Sequence, residues 1–281
     1  MKLKEVFFGL GLKPSIRLYP FELVEFALER DGKVGFAQWQ HPGALHWKTN
    51  VSQAMVDEAR KWIRAGDTAI DVGAHSGDST LPLALAAGPS GAVLALEPNP
   101  HVFKVLLATT ALNQRTTNIF PLMFAATPED GEMVFEYSDS GFCNGGLHDG
   151  IGRWKHAHFF NLTVQGRNLP RFMEREFADE SSRVRFIKID AEGYDHSVVM
   201  SLAPLIARCK PYIRAEVYKH STQEARSHFW RDLRQMGYRV HHFESDVAYK
   251  GEELGENDMM RWKHFDIFCV PEQASDSSDI Q

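Results

Sequence analysis

A short glycine-containing segment from Asp71 to Gly77 (DVGAHSG) lies between an apolar stretch and a helical pattern. Gly73 and Gly77 lack a Cβ, so the backbone can turn tightly there and approach a ligand closely. The segment ends where a helix is predicted to begin, and the free N–H groups of a helix N-terminus favour a carboxylate. We therefore predict a ligand-binding turn in which Asp71 accepts hydrogen bonds from a ligand ammonium group or from ordered water.

A second candidate binding residue is Glu97, which lies 20 residues after Gly77, at the end of the next apolar stretch. This separation is typical of an acid that accepts hydrogen bonds from both hydroxyls of a ribose. A carboxylate suits that task because its two oxygens can accept two hydrogen bonds together. Pro98 and the pair Ala125-Ala126 are predicted to flank a flat adenine.

The spacing of the glycines distinguishes two nucleoside cofactors. NAD-binding turns have the pattern G-x-G-x-x-G, which brings the backbone up to a pyrophosphate, whereas this chain has Gly73-x-x-x-Gly77. S-adenosylmethionine has no pyrophosphate, so the sequence favours it. An NAD-linked oxidoreductase and a non-catalytic module that binds S-adenosylmethionine remain alternatives. The residues predicted to bind the cofactor are Asp71, Gly73, His75, Ser76, Gly77, Glu97, Pro98, Asn99, Ala126 and Asp190.

A further polar block, from Lys188 to Glu192, ends another apolar stretch. Side chains alternate along a strand, so Lys188 and Asp190 share one face. We predict an ion pair between Lys188 and Glu216 on the neighbouring strand. Asp190 is predicted to contact the cofactor or to orient the methyl acceptor. Asp190 and Glu192 could also bind Mg²⁺, which prefers carboxylates, although the sequence identifies no third ligand.

Donation of the methyl group of S-adenosylmethionine to an alcohol would require removal of the hydroxyl proton as the new bond forms. Among the 13 histidines, His75 and His220 lie on loops predicted to face the active site. They are the candidate bases, and with Asp190 they complete the predicted catalytic set.

These residues need a scaffold, and the chain beyond residue 66 alternates short apolar runs with helical patterns. This alternation predicts a doubly wound α/β fold with helices on both faces of a seven-stranded sheet. No helical pattern separates the last two strands, so the final strand is predicted to run antiparallel. The predicted strands span residues 68–72, 92–96, 119–125, 184–189, 212–217, 238–243 and 264–270.

Three segments lie outside this alternation. Residues 1–50 contain alternating residues on both sides of Asp31-Gly32, which predicts a β-hairpin with a substrate-binding or interface role. Residues 131–160 are rich in glycine and predict an excursion over the active face, with a mobile lid. Residues 273–281 are polar and predict a disordered tail after the domain at 51–272.

Several segments resemble the FkbM-type methyltransferase family. They are residues 65–74, 96–99, 186–193 and 213–216, and the resemblance spans about 51–243. It implies a class I methyltransferase fold. It also implies methyl transfer from S-adenosylmethionine, mostly to hydroxyl oxygens of sugars, polyketides or other small metabolites, as in natural product biosynthesis. His75 departs from the family, which more often has Asn there. Methylation of nitrogen stays open because the cofactor motifs do not encode the acceptor atom.

Composition narrows the classes of partner. The net charge is -6 and no run of Lys and Arg is present, which disfavours a nucleic-acid partner. No stretch approaches the roughly 20 apolar residues of a membrane span. The three cysteines form no disulfide framework, which favours the cytoplasm. We therefore expect a small hydroxylated molecule as the substrate. The sequence does not indicate the oligomeric state.

Overall fold

The computed structural model of the chain describes residues 15–46, 49–137, 139–143, 145–146 and 160–273. It opens with an antiparallel hairpin of β1 (Phe21–Leu28) and β2 (Gly32–Trp39), followed by α1 (Pro42–His46). Gly32 starts the return strand with a φ of +75°, which glycine adopts without strain. The predicted hairpin is confirmed.

Helix α2 (Gln53–Trp62) begins the alternating region, and the hydroxyl of Ser52 caps it by accepting a hydrogen bond from the N–H of Met55. The next two strands have the bounds that the sequence predicts, and all of their residues are buried. Strands of this kind are easy to predict from the sequence, because a sheet covered on both faces needs apolar residues on both sides. The elements in order are β3 (Thr68–Val72), α3 (Thr80–Ala87), β4 (Ala92–Leu96), α4 (Pro100–Asn113) and β5 (Ile119–Leu122).

A separate small sheet follows. It consists of β6 (Ala125–Ala126), β7 (Gly131–Tyr137), β8 (Gly145–Gly146) and β9 (Phe160–Arg167), in the spatial order β6-β9-β7-β8. The sequence therefore mispredicts two features: the strand at 119–125 ends at Leu122, and the excursion at 131–160 begins with a regular strand. Residues 147–159, on which most of the predicted lid falls, lie outside the described residues, as do 274–281 of the predicted tail.

The second half of the chain completes the large sheet. Helices α5 (Leu169–Glu176) and α6 (Ala178–Ser182) come first. The remaining elements are β10 (Val184–Ile189), α7 (Asp195–Ser201), α8 (Ala203–Cys209), β11 (Tyr212–Val217), α9 (Gln223–Gln235), β12 (Tyr238–Ser245), β13 (Ala248–Glu253), a 3-10 helix (Glu256–Met260) and β14 (Phe265–Pro271).

The large sheet has eight strands among the described residues, in the order β13-β12-β14-β11-β10-β3-β4-β5. Five neighbouring strands, β11, β10, β3, β4 and β5, run parallel. Strand β14 lies between β11 and β12 and is antiparallel to both, as predicted. The predicted count of seven is wrong because β13 was missed. Its sequence, AYKGEE, has no apolar run, and among the described strands it pairs with β12 alone, at the edge of the sheet.

Helices cover both faces of this sheet, as predicted. Neighbouring residues of β3 show it: Ile70 packs in a cluster with Val198 and Leu233, whereas Ala69 packs in a second cluster with Leu83. Successive side chains of a strand point to opposite faces, so one strand supplies both cores. Among the described residues, none of the helices combines the length and the apolar surface needed to cross a membrane.

The hairpin packs against the alternating region. The N–H of Gly35 in β2 donates to Asn113 Oδ1, and the N–H of Ala37 donates to Thr109 Oγ1, each at 3.1 Å. Both acceptors lie on α4, so β2 lies along that helix. The hairpin thereby approaches the turn between β3 and α3.

Candidate functional site

A cavity of about 580 Å³ opens where parallel strands of the large sheet end. Residues at the carboxyl ends of β3, β4, β10 and β11 line it, and β7 of the small sheet contributes Met133, Phe135 and Tyr137. Doubly wound folds bind their ligands at this edge of the sheet. The volume lies within the range of small-molecule sites, roughly 300–1,000 Å³.

The two glycines of the predicted turn are required mainly by packing within the chain. Gly73 has a φ of +77°, and a Cβ on it would lie 2.0 Å from the carbonyl oxygen of Asp190. Gly77 has a φ of +96°, and its Cβ would meet Leu106 and Thr109 of α4 at 3.2 Å. Gly73 lines the cavity, whereas Gly77 faces α4. The turn thus fixes the end of β3 against β10 and α4.

Asp71 does not line the cavity, which corrects its predicted contact with the ligand. Its side chain is fully buried. Oδ2 accepts hydrogen bonds from the hydroxyls of Ser79 at 2.8 Å and Thr80 at 2.7 Å. Asp71 therefore anchors the first turn of α3 to β3 and supports the cavity from behind.

Lys188 pairs with Asp71, not with Glu216 as predicted. Lys188 Nζ lies 3.3 Å from Asp71 Oδ1, donates to the carbonyl of Gly73 at 2.9 Å and lies 3.6 Å from Asp190 Oδ2. The strand register explains the correction, because Lys188 is directly opposite Asp71 on β3. Burial lowers the pKa of Lys188, but the two carboxylates outweigh it and raise the pKa overall. The ammonium group is therefore charged, and it links Asp71 on β3, the backbone of the turn at Gly73 and Asp190 after β10.

Glu97 lies at the end of β4 and lines the cavity with its carboxyl group held by the backbone. Oε2 accepts the N–H of His75 at 3.0 Å, and Oε1 accepts the N–H of Asn99 at 2.8 Å. A carboxylate offers about four acceptor positions, so each oxygen keeps one for a ligand. Burial raises the pKa of Glu97 to about 7, against the lowering effect of these hydrogen bonds.

Asn99 shapes the next part of the wall. Its Oδ1 accepts the N–H of His101 and caps α4, while its amide donates to the carbonyl of Phe142 at 2.8 Å. Asn99 is almost fully buried but still lines the cavity with Pro98. It therefore links the end of β4 to the segment before β8.

The two candidate histidine bases lie in different places. His75 lines the cavity, has a φ of +49°, and its ring meets Trp39 of the hairpin edge-on at 5.6 Å. Its Nε2 is buried and has no hydrogen-bond partner among the described residues. Burial lowers the pKa of His75, so the ring is neutral. His220 is exposed, packs its ring against Tyr218 and does not line the cavity, which corrects its predicted role.

The loop after β10 places Asp190 and Glu192 at the cavity. The side chain of Asp190 is 52% exposed, whereas burial, followed by the charge of Asp190, raises the pKa of Glu192 to about 7. Within the described ranges, no group of three or more His, Cys, Asp or Glu residues could hold a metal ion. A magnesium site at Asp190 and Glu192 therefore stays a prediction without a third ligand.

Asp195, which the sequence analysis missed, sets the shape of this loop. Its buried carboxyl group accepts the backbone N–H groups of Ala191 and Gly193 and also that of Glu216, at 3.2–3.3 Å. It thereby joins the ends of β10 and β11. The sequence offered one indication of this role: Asp195 lies three residues after Glu192, at the position where α7 begins.

The part of the chain that forms this cavity matches a known protein family. Residues 71–240 match the model of the FkbM methyltransferase domain. The chain belongs to this family. The match begins in the last residues of β3 and reaches into β12, so it includes the carboxyl ends of the strands that line the cavity.

Solved structures resemble this chain only weakly. An FkbM methyltransferase from Methylobacillus flagellatus KT is 15% identical with a TM-score of 0.45, over 72% of this chain and 43% of that one. An S-adenosylmethionine-dependent O-methyltransferase from Thermotoga maritima is 15% identical with a TM-score of 0.43, over 92% and 80%. Fibrillarin from Aeropyrum pernix is 14% identical with a TM-score of 0.44, over 91% and 99%. The chain thus spans less than half of the first structure. No curated protein matches this sequence.

The structure brings most of the predicted cofactor residues together. Asp71, Ser76 and Gly77 lie behind the cavity wall. Those that line the cavity are Gly73, His75, Glu97, Pro98, Asn99, Ala126 and Asp190.

The sequence analysis also missed a pair at the opposite side of the cavity. Glu216 and His264 both line it, and Glu216 Oε1 lies 2.5 Å from His264 Nε2 in a hydrogen bond. The sequence does place Glu216 near the end of a correctly predicted strand, but it gave Glu216 the wrong partner. His264 lies 48 residues further along the chain, and only the antiparallel insertion of β14 brings it there.

Proposed function

We propose that this FkbM methyltransferase transfers the methyl group of S-adenosylmethionine to a hydroxyl oxygen of a small metabolite, sugar or polyketide. The observation that carries this proposal is the carboxyl group of Glu97 at the carboxyl edge of the sheet. Backbone N–H groups fix both of its oxygens, and both keep capacity for a further hydrogen bond. That geometry suits the two hydroxyls of a ribose.

The rest of the lining fits the other parts of the cofactor. Pro98 and Ala126 supply apolar surface for the adenine, and Gly73 leaves room where β3 ends. S-adenosylmethionine supplies a methyl group that is already activated for displacement. The chain therefore has to align the acceptor with that methyl group and exclude water. We assign the alignment to Asp190, which is half exposed in the cavity and lies beside the charged Lys188.

Transfer of label tests this proposal. The purified chain is incubated with S-adenosylmethionine labelled in its methyl group and with an extract of the cells that make the protein. We expect one small product that is heavier by a methyl group and carries the label on oxygen. Label on nitrogen would overturn the choice of acceptor atom. Binding of the cofactor without any transfer would favour the non-catalytic module.

The affinity for S-adenosylmethionine should fall about tenfold between pH 8 and pH 6. The pKa of Glu97 is about 7, because burial raises it, so the carboxylate that accepts both ribose hydroxyls is largely lost at pH 6. The apparent dissociation constant rises in inverse proportion to the ionised fraction. Isothermal titration calorimetry at both pH values measures the change.

Glu97→Gln is the control, because its amide does not titrate. The variant should bind more weakly at pH 8 and should show a much smaller change with pH. The ammonium group of the cofactor also titrates, but it affects binding to both proteins equally. The difference between the wild type and the variant therefore reports on Glu97 alone. An unchanged pH dependence in Glu97→Gln would remove Glu97 from the ribose site.

A further inference from the structure

We propose that Glu216 and His264 form a proton relay that removes the proton of the acceptor hydroxyl during methyl transfer. The inference rests on the proposed function, and it gives Glu216 and His264 catalytic roles that the family resemblance did not assign to them. Glu216 receives the substrate proton on one oxygen and passes its own proton from the other oxygen to His264. His264 then releases a proton to solvent.

The position of Glu216 is the first observation. It lies one residue before the end of β11, next to β10, whose last residue is followed directly by Asp190. Its side chain is only 6% exposed, yet it lines the cavity. Oε2 is buried and has no hydrogen-bond partner among the described residues. A buried oxygen without a partner is costly, so an acceptor hydroxyl in the cavity would satisfy it.

The second observation is the path from Glu216 to water. Its other oxygen, Oε1, lies 2.5 Å from His264 Nε2. The side chain of His264 is 51% exposed, so this ring connects the buried carboxyl group to solvent. A proton can therefore leave through the ring without opening the cavity.

Electrostatics sets the resting state of the pair. Burial raises the pKa of Glu216 to about 10, and neighbouring carboxyl groups add to the effect. The cations nearby are already paired: Lys188 with Asp71, and Arg214 with Asp246 and Asp266. At neutral pH Glu216 is therefore an uncharged acid whose Oε1–H donates to His264 Nε2. Several ionisable groups face Glu216. They are Asp190 and Glu192 after β10, Asp195 on α7, His264 just before β14, Asp266 on β14 and Lys219 after β11.

The atoms and charges of the step balance. The hydroxyl oxygen of the acceptor forms a bond to the methyl carbon, and the carbon–sulfur bond breaks with its electron pair going to sulfur. The hydroxyl proton moves to Glu216 Oε2, while the proton on Oε1 moves to His264 Nε2. The positive charge lost from the sulfonium thus appears on the imidazolium of His264. The products are a methyl ether and S-adenosylhomocysteine.

The protonation of Glu216 can be measured without any substrate. Infrared difference spectra of the purified chain and of Glu216→Gln isolate the signal of this one carboxyl group. At pH 8 we expect a carboxylic acid band that is absent from the variant and disappears only as the pH approaches about 10. An ionised Glu216 at pH 8 would overturn the relay, because Oε1 would then have no proton to pass on. This result does not depend on whether the chain binds S-adenosylmethionine.

The rate of methyl transfer tests whether both residues take part in removing the proton. The substrate is the extract fraction that accepts the label. Glu216→Gln should lower the rate at least 100-fold, because a general base contributes roughly 10²–10⁴. His264→Ala should lower it about tenfold or more, and added imidazole should restore activity because the site is half exposed. Both variants should bind S-adenosylmethionine within about twofold of the wild type.

His242→Ala is the matched control. His242 stacks against Phe265 on the neighbouring strand, but it does not line the cavity. The His242→Ala variant should keep wild-type activity, and added imidazole should not change its rate. An active Glu216→Gln, or a His264→Ala that imidazole does not rescue, would contradict the relay. Loss of cofactor binding in the wild type would contradict the proposed function instead, so the two failures are distinguishable.

Discussion

Lys188→Met should lower the free energy of unfolding by about 3–5 kcal/mol, which is the usual cost of removing one partner of a buried ion pair. Asp71 is fully buried, and without Lys188 its charge would keep only the hydroxyls of Ser79 and Thr80. The carbonyl of Gly73 would also lose its donor. Urea unfolding followed by circular dichroism measures the loss.

Two further variants separate charge from side-chain volume. Lys33→Met removes an exposed ion pair with Glu25 and should leave the unfolding midpoint nearly unchanged, because solvent screens such pairs. Lys188→Met combined with Asp71→Asn removes both buried charges and should recover part of the lost stability. A single Lys188→Met variant as stable as the wild type would show that this ion pair does not support the site.

Asp190→Asn should lower turnover by about 100-fold while the fold stays intact. The change keeps the shape of the side chain, but it removes the negative charge beside Lys188 and replaces one acceptor oxygen with a donor. Misalignment of a reacting group by about 1 Å costs on the order of 10²-fold in rate. Transfer of labelled methyl groups measures turnover, and thermal unfolding checks the fold.

Asp232→Asn serves as the control for this variant. Asp232 pairs with His196 and does not line the cavity, so its loss should leave turnover unchanged. A fully active Asp190→Asn would remove Asp190 from the site and leave its exposed carboxylate without an assigned role.

The sequence predicted the buried strands best. The bounds of β3, β4, β10 and β11 agree with the prediction because each is a short, largely buried stretch of a sheet covered on both faces. The polar edge strand β13 carries no such signal. Strands β7 and β9 pair across the segment at 131–160, where glycines dominate the local pattern. Their long-range pairing cannot be read from composition.

The site was predicted less completely, and the reason is strand register. The sequence placed Glu97 and Asp190 at the correct edge of the sheet. It gave Lys188 the wrong partner because the choice between Asp71 and Glu216 depends on which residues lie opposite each other. His264 reaches the cavity only because β14 is inserted beside β11. The register does not follow from the spacing of residues along the chain, and the predicted antiparallel final strand did not indicate which side chain it would bring to the cavity.

Calorimetric titration of the purified chain with S-adenosylmethionine is the measurement that tests the central claim most directly. We predict saturable binding of one molecule per chain at pH 8, with at least tenfold weaker binding by Glu97→Ala because two hydrogen bonds to a charged group are lost. S-adenosylhomocysteine should compete for the same site. A wild-type chain that takes up neither molecule would contradict the account.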